Sequence, residues 1–384
     1  MRVGIDGNPL FSFSGNLNGI GQFSKHLIEA CLEQESDIDF EITRLLMPHR
    51  KFVPPLKEYS NLSYRVARWI PPVIYYQSFK RLPWVPPYDL ILFRKYDAFI
   101  FFNFVTYPLS KSTKSLLFVH DLSYIRYPEY TSPKNRVYME KFVPRSIKQS
   151  TRVITISEFS KKEICEYYKV PEDKVSVVTP AVDHTVFYPR DYHSIDVIRK
   201  KYNIKDKYIL SVCTLEPRKN LLGVLDAYEM LPDKIKSGFT LVLAGGKGWL
   251  DEELDTKIKN LSSKYDIVRT GYVPDEDLPI LYSGASVFVF PSFYEGFGMP
   301  VLEAMACGTP VITSNNSSLP EVVDNAGIMI DAKDSTKLAK DIDRVLTDTK
   351  LAKELRDKGI AQARKFSWDK SAKKMLKILK DIEL

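Results

Sequence analysis

The sequence predicts an α/β protein built as two doubly wound domains in series. Its 384 residues exceed what one hydrophobic core usually supports. Strand-length apolar runs alternate with helical patterns in both halves, which implies parallel sheets covered on both faces. The alternation pauses once, over residues 185–205, where Tyr188-Pro-Arg-Asp191 marks a linker.

In the first half, strands are expected over residues 2–7, 40–47, 96–104, 115–121, 152–158 and 175–181, and helices over 21–32, 133–149 and 160–168. Residues 48–95 break the rhythm: rich in proline and aromatics, they read as an insertion holding one or two short amphipathic helices. After the linker six short strands are expected, over 208–214, 240–245, 267–273, 287–291, 311–313 and 328–330, with helices between most of them. The helices from about residue 335 are polar and lysine-rich, and Trp368 with residues 375–384 suits a terminal helix anchored back on the first domain. The expected boundaries are 1–187, 188–367 and 368–384. Domains of this kind bind ligands where the carboxyl ends of their strands meet, here in the crevice between the two.

Composition excludes several classes. The chain is 44% hydrophobic and 27% charged, as in an ordinary soluble globular protein. The longest apolar run, Ala98-Phe-Ile-Phe-Phe-Asn-Phe-Val105, is strand-sized, far short of the ~18 residues of a membrane span. Met1-Arg-Val-Gly-Ile-Asp6 reads as a buried strand rather than a signal peptide, so a cytoplasmic location is expected. Cys31, Cys165, Cys213 and Cys307 have no metal spacing, and fit a reducing compartment without zinc or disulfides.

The net charge of +7 is uneven. Residues 1–190 hold 26 Lys/Arg against 19 Asp/Glu, and the remainder 29 against 29. Within residues 50–152 the balance is 18 against 6, interleaved with aromatics in Tyr64-Arg-Val-Ala-Arg-Trp69 and Tyr75-Tyr-Gln-Ser-Phe-Lys-Arg-Leu-Pro-Trp84. Such a surface suits an anionic membrane or lipid-linked acceptor. Nucleic acid has no supporting motif, and a solvated basic face is the plainer reading.

The most telling stretch is Glu295-Gly-Phe-Gly-Met-Pro-Val-Leu-Glu303, two carboxylates flanking a glycine turn and a helix start. Gly296 and Gly298 let backbone approach a ligand, Pro300 suits the first helical turn, and Glu303 is expected in that same turn. Free N–H groups at a helix start attract anions, so beside a phosphate the carboxylates would grip hydroxyls: Glu295 a sugar, Glu303 a ribose. A structural turn is the bland account. Thr214-Leu-Glu-Pro-Arg-Lys-Asn220 follows a strand and opens a helix, so Arg218 and Lys219 can bring two cations to a diphosphate and stabilise its departure. Alone, such a pair is usually solvated.

Val119-His120-Asp121 ends a strand, where His120 can donate to a sugar hydroxyl or stabilise charge; structural hydrogen bonding is the alternative. Gly19-Ile20-Gly21 lacks the third glycine of a dinucleotide fingerprint, leaving a phosphate-touching loop or a plain helix entry. Ala244-Gly-Gly-Lys-Gly248 lacks the full phosphate-loop pattern and reads as a turn. Asp275-Glu-Asp277 reads as a helix cap rather than a metal motif, and Asp37, Asp39, Asp341 and Asp343 as solvent-exposed. No metal site is expected.

Together these motifs resemble the retaining glycosyltransferases of family 4, with the two-domain GT-B fold, and among them bacterial mannosyltransferases of O-antigen and other surface polysaccharides. Ile154-Thr-Ile-Ser-Glu-Phe-Ser160 and Gly271-Tyr-Val273 add to the likeness, which spans nearly the whole chain. The resemblance implies that Arg218 and Lys219 bind the donor diphosphate, Glu295 with the backbone of Gly296, Phe297, Gly298 and Met299 the sugar, Glu303 the ribose, Tyr272 and Val273 the base, and that His120 lies near the transferred sugar. It implies GDP-mannose as donor, a metal-independent reaction without a cofactor, and a lipid-linked or polysaccharide acceptor at the inner face of the membrane. A UDP-sugar transferase, a nucleotide-sugar epimerase and an inactive sugar-nucleotide-binding assembly factor are the alternatives. Where the family commonly has glycine, this chain has Cys213, beside the expected diphosphate turn.

Overall fold

A computed structural model describes residues 1–11, 17–82, 84–246 and 252–383. Lys247 and Gly248 of the glycine-rich segment, Pro83 of the aromatic segment and Leu384 lie outside the described residues. The chain forms two compact units: Met1–Ile125 with Thr131–Pro180 and Trp368–Leu384, and Ala181–Ser367 with Arg126–Tyr130.

The first unit holds β1 (Arg2–Asp6), β2 (Asp39–Leu45), β3 (Leu62–Ala67), β4 (Ala98–Phe101), β5 (Lys114–Phe118), β6 (Arg152–Thr155) and β7 (Val175–Val177). They form one parallel sheet in the order β3-β2-β1-β4-β5-β6-β7. All four residues of β4 are buried, the signature of a strand covered on both faces. Residues 48–95 are more than an insertion, because β3 pairs with β2 from Phe40↔Leu62 to Leu45↔Ala67. The strand escapes a periodicity reading since it lies at the sheet edge, where only Ala67 is fully buried.

The helix Trp368–Glu383 belongs to this unit and packs on the helix Gly19–Leu32. Ala372, Met375, Leu376 and Leu379 are buried at helical spacing. Trp368 stacks on His26 at 5.4 Å and meets Phe23 at 5.9 Å. The Ser371 hydroxyl donates to the Thr179 carbonyl at 2.6 Å.

The second unit holds β8 (Tyr208–Val212), β9 (Thr240–Ala244), β10 (Ile267–Gly271), β11 (Val287–Phe290), β12 (Val311–Ser314) and β13 (Ile328–Ile330), a parallel sheet in the order β10-β9-β8-β11-β12-β13. The order reverses between β8 and β11, and the crevice at their carboxyl ends is where doubly wound sheets receive ligands. The presumed linker contains a helix, Tyr192–Lys201, because Asp191 caps it by accepting from the Ser194 amide. Asp277 stands at a helix start, yet its carboxylate accepts from the Tyr202 hydroxyl at 2.6 Å and from Lys201 instead of capping. Asp341 is also not exposed; it is buried and paired with Lys337 at 2.6 Å.

One close approach fixes the end of β8. Gly245 has φ +138°, and a Cβ there would lie 1.9 Å from the Cys213 carbonyl oxygen. The Cys213 amide donates to the Ala244 carbonyl at 2.9 Å, holding the two strand ends together. Gly245→Ala is expected to lower stability by about 2 kcal/mol or more, whereas Gly246→Ala, which meets nothing within 4 Å, stays within about 0.5 kcal/mol of wild type. Urea unfolding of both variants checks the contrast.

Candidate functional site

The strongest constellation lies at the carboxyl ends of β8 and β11. After β8 the chain makes a 3₁₀ turn, Pro217–Lys219, and reaches Asn220 at φ +55°, a left-handed position asparagine tolerates. The Asn220 side chain accepts from the Gly223 amide at 3.2 Å and donates to the Pro291 and Ala332 carbonyls at 3.1 and 2.6 Å. The turn is thereby tied to the strand end that precedes Glu295.

Glu295 is 7% exposed and surrounded by donors. Its Oε1 accepts from Lys219 Nζ at 2.7 Å and from the Ser292 hydroxyl at 2.7 Å, and Arg218 reaches its Oε2 at 3.3 Å. Arg218 also donates to Glu216 at 2.6 Å and to the Tyr294 carbonyl. Burial pushes the Glu295 carboxyl up, but Lys219 and Arg218 outweigh it and hold the group down at about 2. The carboxylate is therefore the counter-ion of both cations, a role that spacing alone does not reveal.

The turn beyond Glu295 is built for its backbone. The Glu295 amide donates to Ser317 Oγ at 3.0 Å, and the Ser318 hydroxyl lies 2.9 Å from the carbonyls of Glu295 and Phe297. Phe297 is buried against Phe366 at 5.6 Å, so its ring belongs to the core. Gly298 has φ +112° and would drive a Cβ to 2.7 Å from Leu319, so it alone suits this helix start.

The helix runs from Met299 to Ala306 with no acidic residue in its first turn. Glu303 thus stands beyond the first turn in which the sequence reading places it, because the helix already begins at Met299, making Pro300 its second residue and Glu303 its fifth. Its side chain stays partly accessible while its carboxyl end is enclosed, accepting from the Tyr282 hydroxyl at 2.9 Å. Burial raises this carboxyl to about 7; the tyrosine bond lowers it and Asp275 raises it further. Asp275 lies just beyond Tyr272, which is 55% exposed, and Val273, which is buried, on the loop after β10.

The remaining candidates lie in the first unit. His120 is buried, and its Nε2 lies 2.8 Å from the Phe102 carbonyl. A carbonyl only accepts, so Nε2 carries the proton and Nδ1 is left to accept rather than donate. Burial keeps the ring's pKa below its ordinary value, against the Phe102 bond and Asp121, which favours the neutral imidazole. Phe23 meets the ring edge-on at 5.5 Å. Gly19 and Ile20 open the helix Gly19–Leu32 instead of preceding it, and the Gly21 amide donates to the capping side chain of Asn18 at 2.9 Å.

Sequence reasoning missed Glu216, Ser292 and Tyr282, the direct partners of Arg218, Glu295 and Glu303. It also missed the short segment Arg126–Tyr130 of the second unit, where Tyr127 donates to the Phe293 carbonyl at 3.2 Å and stacks on Tyr130 at 5.7 Å. Only the Tyr127/Tyr130 spacing hints at it. Among the described residues no group of His, Cys, Asp and Glu side chains is placed to hold a metal ion.

The chain has relatives among known proteins. Residues 19–186 match the family described as Glycosyltransferase Family 4, and residues 194–366 the one described as Glycosyl transferases group 1. The chain is 39% identical over 278 residues to the O-antigen chain mannosyltransferase B of Escherichia coli, covering 72% of each protein. It is 34% identical over 242 residues to the serotype-specific mannosyltransferase WbdA of Escherichia coli, covering 61% of this chain and only 29% of that longer protein. Among solved structures, the sucrose-phosphate synthase of Thermosynechococcus elongatus has the same fold, with a TM-score of 0.70, 20% identity, and coverage of 99% of this chain and 98% of that one.

The enclosed Glu303 carboxyl makes stability depend on pH. Its folded value of about 7 lies above the ordinary 4.5, so the folded state binds the extra proton, and stability present below pH 4.5 is lost as pH rises through 7. At pH 8 Glu303→Gln should be more stable than wild type by up to ~3 kcal/mol, with no difference below pH 4.5. Unfolding midpoints across that window, which must converge at the acid end, check it.

Proposed function

Since the chain belongs to glycosyltransferase family 4, we propose that it moves mannose from GDP-mannose to a lipid-linked or polysaccharide acceptor in cell-surface glycan synthesis, with retention at the anomeric carbon. The relatives named as O-antigen mannosyltransferases support the sugar and the setting. The single observation that carries the mechanism is the Arg218–Lys219 pair on buried Glu295 at the β8/β11 crevice.

With Glu216 included, the cluster is two cations balanced by two carboxylates. A nucleoside diphosphate competes with Glu295 for Arg218 and Lys219, and the displaced carboxylate becomes free to accept hydrogen bonds from the donor sugar. Diphosphate capture and sugar recognition are then coupled. Glu303 takes the ribose hydroxyls in its ionised form, Tyr272 and Val273 flank the base, and the backbone of Gly296–Met299 lines the sugar. His120 accepts a sugar hydroxyl through Nδ1, and the helix start at Gly19-Ile20-Gly21 offers the amides of Gly19 and Ile20 to an acceptor or phosphate, that of Gly21 being taken by Asn18. In transfer, the C1–O bond to the β-phosphate breaks and the bond from C1 to the acceptor oxygen forms on the same face. The acceptor proton passes to the leaving diphosphate, whose charge Arg218 and Lys219 hold. The reading needs no metal or cofactor, and it places the protein as a peripheral enzyme at the anionic inner face of the cytoplasmic membrane.

Calorimetry with GDP-mannose, GDP and UDP-glucose tests this. GDP-mannose should bind best, Arg218→Ala should weaken it by roughly thirtyfold, and Glu295→Gln should tighten GDP several-fold while erasing the preference for GDP-mannose over GDP. No binding of any nucleotide overturns the reading. Tighter binding of UDP-glucose overturns the choice of donor.

A further inference from the structure

We infer that the segment from Trp69 to Phe93 is a shallow membrane-insertion wedge for an anionic bilayer, an inference that rests on the membrane part of the reading above. Large apolar side chains are exposed there to an unusual degree: Trp69, Val73, Ile74, Leu82, Trp84 and Phe93 are each more than half accessible, Trp84 at 71% and Phe93 at 76%. Apolar residues scattered singly need no explanation, but a run of this density does.

The segment is held firmly from beneath. In the helix Pro72–Arg81, Tyr75 is fully buried, and Phe79 packs on Phe142 at 5.0 Å. The opposite stripe presents Val73, Ile74 and Gln77, and ends in exposed Lys80 and Arg81. Trp69 is fixed by its indole donating to the Ile91 carbonyl at 2.9 Å, with its ring 5.3 Å from Phe93. Tryptophan pinned by its N–H with its ring outward suits the boundary between headgroups and acyl chains.

Charge chooses the occupant. Residues 50–152 carry 18 cationic against 6 acidic side chains, which favours an anionic lipid surface over a second copy of the same basic patch. Of the four cations in the two basic, aromatic stretches that the sequence singles out, two are engaged within the fold and two are exposed. Arg65 is held by Glu41 at 3.0 Å, and Arg68 donates to the carbonyls of Met47, Pro48 and Arg50 at 3.1, 3.2 and 2.7 Å. Lys80 and Arg81 remain exposed, as does Lys141 of the helix Pro133–Gln149, which donates to the Lys80 carbonyl at 3.3 Å.

Sedimentation of the full chain with phosphatidylcholine vesicles, with and without about one-third phosphatidylglycerol, tests the wedge. Wild type should bind the anionic vesicles and barely the neutral ones. Lys80→Glu with Arg81→Glu should weaken binding by about fivefold per cation and more at low salt than at high. Val73→Ser with Trp84→Ser should weaken it at least tenfold at both salts, since insertion is not screened. Vesicle binding that these exposed substitutions leave unchanged overturns the inference, as does wild-type protein that ignores anionic vesicles. So does a patch whose substitution breaks a self-associated form and leaves lipid binding intact. GDP-mannose calorimetry on the same variants should match wild type. Loss of donor binding with the wedge intact would sink the catalytic reading and leave this one standing.

Discussion

The second unit is organised around one buried carboxylate. Glu295 cannot be ionised at 7% exposure without compensation, and Lys219, Arg218 and Ser292 supply it. Each of those partners depends in turn on a strand end: the cations on the turn after β8, the serine on the segment after β11. Adjacent parallel strands are what bring the two segments together, so the charge cluster and the strand order are one constraint. Removing a single partner would leave a buried charge uncompensated, which costs far more than the ion pair contributes in net stability. The arrangement therefore fixes the mouth of the crevice before any ligand arrives.

Glu295 and Glu303 show how one sequence block makes two chemically different acids. Eight residues apart, both are enclosed, yet one is held near 2 and the other raised to about 7. The difference is the identity of the neighbours. Two cations face Glu295, whereas Glu303 has a tyrosine hydroxyl and the repulsion of Asp275. A permanently ionised group suits exchange against a diphosphate. A group poised near neutrality suits hydroxyl binding that costs little while the site is empty, because the enclosed carboxyl can hold its proton until a ligand replaces it.

Much of the fold was legible because parallel strands buried on both faces write continuous apolar runs, as in β4, β8 and β11. The edge strand β3 was not, since Ser63 is exposed, Tyr64, Arg65 and Val66 are only partly covered, and the strand leaves no alternation. The helix Tyr192–Lys201 hid behind Tyr188-Pro-Arg-Asp191, where the aspartate signals a cap as well as a break. In the site, the residue types of Arg218, Lys219, Glu295 and Glu303 could be singled out from sequence, but their partnerships could not. Ser292, Glu216 and Tyr282 carry no motif of their own, and the turn in which Glu303 falls was misjudged because the helix begins at Met299, before Pro300, directly after the left-handed Gly298. Side-chain pairing is a property of strand order, which local patterning does not contain.

The first unit shows the same limit for charge. A net balance of 18 to 6 over residues 50–152 suggests a uniformly basic face. Instead, buried Glu41 is met by Arg65, Arg94 and the Tyr96 hydroxyl, and Arg68 is consumed by three backbone carbonyls. These arginines hold β2, β3 and the loop after Leu45 together: Glu41 neutralises Arg65, and the Nη1 of Arg68 is fixed on carbonyls. Lysine on a helix end keeps its charge in solvent at the tip of a flexible stem. The surface that a partner meets is thus set by which cations the fold has not already used, and among these Lys80 and Arg81 adjoin the exposed Leu82 in the chain.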